Sequence, residues 1–215
     1  MAADSDSLLI IQFARSPEKG RVKTRMIPHL SASQACDLHC QLTLWTCSQL
    51  LGWGVGKVEM SVAGSTDHRL FRQCAAMGVA DVSVQRGSDL GERMHNAMLR
   101  GLAHYRRVIV VGSDCSSIDA AYLDQAAQGL QVAPLVLGPA TDGGYVLIGA
   151  RQIDGEIFKA IPWGTDQVFD KTLAALKRIG LRWSQLPYLS DVDRPEDLAE
   201  WEALKARGQG HSLSV

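Results

Sequence analysis

No apolar run in the chain approaches the roughly 18 residues of a membrane span, so no spanning helix is expected. Excess charge of either sign is missing too: 22 Lys and Arg stand against 23 Asp and Glu. That balance excludes a generally basic nucleic-acid binder, and no nucleic-acid partner is expected. Both common nucleotide loops are absent. No strand is followed by GxGxxG, and in "EKGRVKT" Val22 stands where the second glycine of a P-loop must be. The five cysteines are odd in number and form no CxxC unit. Cys36, Cys40 and Cys47 fall at helical spacing, which fits a small-residue core stripe. A zinc centre wants about four converging N or S ligands, and no His pair completes one. The six histidines share no spacing and receive no role. The opening "MAADSDS" lacks the basic start and apolar stretch of a signal peptide, so a cytoplasmic location is expected. No repeat, low-complexity block or linker is visible.

What is present is alternation. "SLLIIQF" (7–13) reads as a buried strand, followed by a helix from Ser31 to Leu51 with Ser31 or Ser33 as N-cap and Gly52 as stop. Strands follow at 57–63, 81–85 and 107–112, with helices at 67–76, 89–104 and 119–130 between and after them. Two more strands, 133–140 and 144–150, flank the turn "TDGG". A helix near 165–178, a strand at 181–187 and a helix beginning "RPEDLAEWEALKAR" complete the pattern. The expectation is one α/β domain over residues 7–206, with flexible tails at 1–6 and 207–215. Its sheet should be mixed but mostly parallel, with helices on both faces, because the 133–150 pair breaks the alternation.

Open α/β sheets bind ligands at the carboxyl ends of their strands, and there the polar clusters fall. The first carries five cations, Arg15, Lys19, Arg21, Lys23 and Arg25, in a nearly neutral protein. Such a loop repels itself unless solvent separates its charges or an anion sits among them. A phosphate site fits the strand-end position and the arginines, with Arg15, Lys23 and Arg25 as ligands and Lys19 and Arg21 toward water.

Asp114, just beyond the most apolar strand, is open to two readings: helix cap, or ligand of a divalent ion. Ser116 or Ser117 can cap the next helix and so free it. "DVDRPEDL" offers Asp191 and Asp193; Asp193 is either a cap for "RPED" or the second ligand of Mg²⁺ or Mn²⁺ held with substrate phosphates. "TDGGY" is a tight turn, yet Gly143 and Gly144 also let a substrate approach the backbone, and Asp142 is placed to orient or deprotonate a hydroxyl. In "QRGSDLGERM", Gln85, Gly87, Asp89 and Arg93 are candidates for holding a nucleotide, against plain helix initiation. Trp163 is a buried anchor or a wall of an acceptor site.

Together "FARSPEKGRVKTRMIP", "QRGSDLGERM", "VGSDCSSI", "GPATDGGYVLIG", "IPWGTDQV" and "DVDRPEDL" resemble the successive signatures of DUF2064, also called the radical-SAM/selenodomain-associated transferase 1 family, over about residues 8–202. Ser116 and Gly164 depart from the family's usual Pro and Ser. The resemblance implies a GT-A, nucleotide-diphospho-sugar transferase fold. It also implies a nucleotide or nucleotide-sugar donor over the first strands, and a divalent metal at Asp114.

Three functions remain in view. In sugar transfer, metal and basic loop would stabilise the departing nucleoside diphosphate while Asp142 activates a hydroxyl on a small-molecule acceptor. In nucleotidyl transfer, a substrate phosphate would attack a nucleoside triphosphate. A non-catalytic nucleotide-binding protein would need only the cations. The family's description favours the first.

Overall fold

The run Leu8–Arg15 is buried at every position but the last, and it forms the interior strand β1. The computed structural model describes residues 7–27 and 29–211. After β1 come α1 (Ala32–Trp53), β2 (Lys57–Ala63), α2 (Arg69–Met77), β3 (Val82–Val84), α3 (Leu90–Leu102), β4 (Arg107–Val111) and α4 (Ala120–Val132). β5 (Leu135–Pro139) and β6 (Tyr145–Ala150) form the hairpin, followed by α5 (Val168–Ile179), β7 (Trp183–Gln185) and α6 (Leu198–His211).

The seven strands lie in the order β3-β2-β1-β4-β6-β5-β7. β6 alone runs against its neighbours β4 and β5, which makes the sheet the mixed, mostly parallel one expected. Successive residues of β1 feed opposite cores. Leu8, Ile10 and Ala14 pack with Met60, Val62 and Leu123. Leu9, Ile11 and Phe13 pack with Met94, Met98 and Leu176 on the other side. This period of two is why the strand is apolar throughout. A third cluster matters most for the site: Met26, Leu38, Leu42, Val192 and Trp201 clamp the basic loop and the turn before α6 onto α1. Trp45 and Trp201 meet there edge to face, 5.5 Å between centroids.

Helix ends follow their capping chemistry. Ser31 caps α1: its Oγ accepts from the Gln34 amide, and Gln34 Oε1 accepts from the Ser31 amide. Ser31→Ala is expected to cost about 1 kcal/mol, a drop in melting temperature of roughly 2–4 °C by calorimetry. The stop of α1 is Gly54 rather than Gly52, because Gly54 takes the left-handed conformation (φ 70°) and its amide reaches Leu51 O. For α4 the cap is Asp119, whose Oδ1 accepts from Tyr122 N at 2.8 Å, and neither Ser116 nor Ser117 serves. Pro195–Asp197 forms a short 3₁₀ turn before α6, which runs on to His211 through part of the expected tail. Residues 1–6 and 212–215 of the expected tails lie outside the described residues. Among those residues no helix is long and apolar enough to cross a membrane.

Candidate functional site

Strands β1 and β4 are neighbours whose connections leave in opposite directions, so a crevice opens beyond their carboxyl ends. Three segments far apart in the chain meet there around Lys23. That residue adopts a left-handed conformation (φ 50°) and turns its side chain inward, leaving 2% of it exposed. Its ammonium donates to Val192 O at 2.6 Å, lies 2.8 Å from Asp114 Oδ1 and 3.7 Å from Asp193 Oδ1. Arg25 Nη1 reaches Asp193 Oδ2 at 2.6 Å. The backbone seals the junction, with Val192 N donating to Asp114 O at 2.9 Å. The expected convergence of Lys23, Arg25, Asp114 and Asp193 is therefore present, but as an ion-paired cluster. Lys23 is engaged by protein oxygens instead of presented to a ligand.

A buried polar frame beneath the crevice holds the Asp114 turn. Gln12, fully buried in β1, donates to Thr43 O and to Ser113 Oγ, and Ser113 Oγ donates to Phe13 O. His39 Nε2 lies 3.0 Å from Arg15 O. Burial lowers the pKa of His39 and so favours its neutral form. Arg15 itself ends β1 with an exposed side chain. Burial disfavours ionised Asp114, but the Lys23 charge beside it, with smaller help from His39 and Arg15, outweighs that and holds its pKa below the ordinary value. Lys19 and Arg21 were expected to face water; both are exposed, and Arg21 pairs with Glu18 at the surface.

Next to this cluster lies a cavity of about 670 Å³ whose wall includes Arg25, Asp142, Gly144, Trp163, Asp166 and Asp191. Asp142 Oδ1 accepts from Gly144 N at 2.9 Å, which fixes the carboxylate in the turn between β5 and β6. Gly143 has a structural reason: with φ 89° and the Asp166 carbonyl where a Cβ would stand, no side chain fits. The Cβ side of Gly143 is filled by backbone and Gly143 does not line the cavity, whereas Gly144 does. Trp163 satisfies both of its readings. It packs on the Gly91 backbone and edge to face on Tyr145 (6.3 Å), and it walls the cavity.

The polar residues of the third loop turn elsewhere, although its Leu90 and Met94 line the cavity. Gln85 Nε2 donates to Ser61 O at 2.9 Å, tying strand ends together. Asp89 Oδ1 caps α3 through Glu92 N, with Glu92 returning to the Ser88 amide. Gly87 (φ 143°) lies against that helix start. Arg93 donates to Gly87 O and lines a separate groove with Arg86, Asn96 and Arg100. For Asp89 the helix-initiation reading accounts for the geometry, and none of these four residues lines the Asp142 cavity.

Asp191 is the group that residue-by-residue reading passed over in favour of Asp193. Burial, then the charges of Asp114 and Asp142, push its pKa up to about 7. Asp193 does not cap the turn; Asp197 Oδ2 accepts from the Asp193 and Arg194 amides, freeing Asp193 for Arg25 and Lys23. Among the described residues no three His, Cys, Asp or Glu side chains form a metal cage. Magnesium sites that share substrate phosphates need only one or two carboxylates; Asp191, which lines the cavity within the field of Asp114, could serve there, whereas Asp193 is already paired with Lys23 and Arg25.

Over residues 46–165, more than half of the chain, the sequence matches the model of DUF2064, uncharacterised proteins conserved in bacteria. A structure described as a "putative nucleotide-diphospho-sugar transferase" from Desulfovibrio desulfuricans G20 is similar at 27% identity, TM-score 0.80, covering 94% of this chain and 98% of that one. CMP:2-keto-3-deoxy-manno-octonic acid synthetase complexed with CTP shares the fold at 14% identity and TM-score 0.61, with 94% and 100% covered. So does Rv0371c of Mycobacterium tuberculosis H37Rv in complex with manganese, at 16% identity, TM-score 0.56, 94% and 98% covered. The GT-A expectation for the fold is thereby met. No curated protein matches.

Proposed function

The chain belongs to the DUF2064 family, and on that premise we propose that it transfers a sugar from a nucleotide-diphosphate donor to a hydroxyl of a small acceptor. The observation that carries this reading is the placement of Asp142, fixed in the wall of a cavity that adjoins the Lys23–Asp114–Asp193 cluster. The donor diphosphate lies along the crevice over the end of β1, where exposed Arg15 and Arg25 meet its charge. Lys23 acts through the protein: it holds the two acidic turns at a fixed separation and keeps Asp114 ionised. Asp114 and Asp191 would hold a divalent ion, which supplies charge neutralisation to the departing diphosphate when bound. Asp142 orients the acceptor hydroxyl and takes its proton as the new glycosidic bond forms. The apolar wall at Trp163 limits water's access to the same position.

The test is incubation with Mn²⁺ and UDP-, GDP- and ADP-sugars beside plain nucleoside triphosphates. Nucleoside diphosphate release from a sugar donor is expected. Pyrophosphate release from triphosphates alone would replace sugar transfer by nucleotidyl transfer, and binding without turnover would leave a nucleotide-binding protein. In the same assay Asp142→Asn should slow release by about 10- to 100-fold with donor affinity unchanged, the pattern of a lost proton acceptor. A change confined to affinity would remove Asp142 from that role.

A further inference from the structure

The cavity beside Asp142 also carries information about the acceptor. Five acids line it, Asp142, Asp166, Asp191, Asp193 and Asp197, against two arginines, Arg25 and Arg194. Arg25 is already bonded to Asp193, and Asp197 accepts the Asp193 and Arg194 amides. Even with Asp191 left out of the count, four carboxylates stand against two guanidiniums, and Arg25, which also lies within the field of Asp142, is shared with Asp193. A divalent ion would not reverse this sign, because the diphosphate it serves brings matching negative charge. A phosphate or carboxylate entering on the side of Asp142 and Asp166, away from the donor diphosphate at Arg15 and Arg25, would meet an excess of like charge, the opposite of the usual anion site.

The rest of the wall differs in character. Phe13, Met94 and Val110 are buried parts of the core on the α3 side, and Tyr145 and Trp163 pack against the same core. These residues give the cavity an apolar, partly aromatic stretch of wall beside the carboxylates. A wall that joins carboxylates to aromatic and aliphatic side chains suits a ligand with a hydroxyl or amine on an apolar or aromatic body.

We propose that the acceptor is a neutral or cationic amphiphile, its hydroxyl or amine held at Asp142 and Asp166 and its apolar or aromatic body seated on Trp163 and Tyr145, and not a phosphorylated or carboxylated molecule. This rests on the sugar-transfer reading for the word acceptor, but the pocket's preference is measurable without turnover. Tyrosol, tyramine and 4-hydroxyphenylacetate share one aromatic frame and differ in charge, so they serve as probes. Their binding is measured by calorimetry on the full chain with Mn²⁺ and UDP present.

Tyrosol and tyramine are expected to bind at least tenfold more tightly than 4-hydroxyphenylacetate, and glycerol not measurably. Asp166→Asn should narrow the preference for tyramine over 4-hydroxyphenylacetate severalfold. Trp163→Ala should weaken tyrosol and tyramine alike, with an unchanged circular dichroism spectrum and melting curve separating lost contact from lost fold. If Trp163→Ala does unfold, Trp163→Leu, which keeps the wall apolar, should retain the charge ranking. Equal or tighter binding of 4-hydroxyphenylacetate, glycerol binding comparable to tyrosol, or no binding of tyrosol and tyramine at millimolar concentration overturns the proposal. The charge ranking observed without any nucleoside diphosphate release would defeat sugar transfer and leave the pocket's chemistry standing. Release stimulated best by anionic acceptors would do the reverse.

Discussion

Lys23→Met is expected to lower the melting temperature by about 6–12 °C, a loss of about 3 kcal/mol. The methionine matches the apolar stem of lysine but leaves Val192 O without its 2.6 Å donor and Asp114 and Asp193 without the cation between them. Removing one partner of a buried ion pair costs about 3–5 kcal/mol. The low end applies because Asp114 and Asp193 keep 45% and 30% of their side chains exposed, so water takes over part of the lost interaction. The double variant Lys23→Met, Asp114→Asn should recover part of the loss, since the acid stranded by the first change is neutral in the second. Thermal melts of the four proteins check this. An unchanged melting point in Lys23→Met, with nucleotide affinity lost, would show a lysine held for phosphate instead of one built into the scaffold.

The strand pattern and the loops that matter were legible because burial on both faces forces apolar runs, and a parallel sheet then puts its connections on one edge. "SLLIIQF" and "RVIVVG" show this directly, as β1 and β4 flank the crevice. Boundaries were less legible: Gly52 and Gly54 look alike in sequence, and only the backbone angle at Gly54 distinguishes the stop. The meeting of residues 23–25, 114 and 191–193 was inferable from fold logic, but the inward direction of Lys23 was not. A left-handed lysine clamped by the Met26–Val192–Trp201 cluster depends on contacts between segments about 170 residues apart, which no local pattern encodes. Asp89 is the converse case. Its spacing to Glu92 was a helix-start signal throughout, and the neighbouring glycines gave that signal a functional appearance. Gln12 and His39 left no mark at all, because a polar residue inside an apolar strand or helix reveals its partners only in three dimensions.

Asp191→Asn should be more stable than the native protein in the presence of chelator, by a margin that widens by about 2 kcal/mol between pH 5 and pH 8. With its pKa raised to about 7, Asp191 keeps in the folded state a proton that the unfolded chain releases near pH 4. The folded state therefore binds more protons across that window, and stability falls as pH rises through it. The magnitude is discounted because the residue is partly exposed. Asp114 does not interfere: its lowered pKa gives stability lost only as pH falls below the usual carboxylate range. His39 does act in the window with the opposite sign, since its lowered pKa makes stability drop as pH falls below its ordinary value. Both proteins contain His39, so its contribution cancels in the difference between their denaturation curves. A margin that stays constant or shrinks with pH would show Asp191 ionised in the fold at ordinary pH, contrary to its crowding by Asp114 and Asp142. Adding Mn²⁺ at pH 8 supplies the second half of the test. A cation that binds only the folded state stabilises it in proportion to its occupancy, so the native protein should gain stability and Asp191→Asn should gain little. Equal gains would exclude Asp191 as a ligand and return the second carboxylate to Asp193, which could serve only by releasing Arg25.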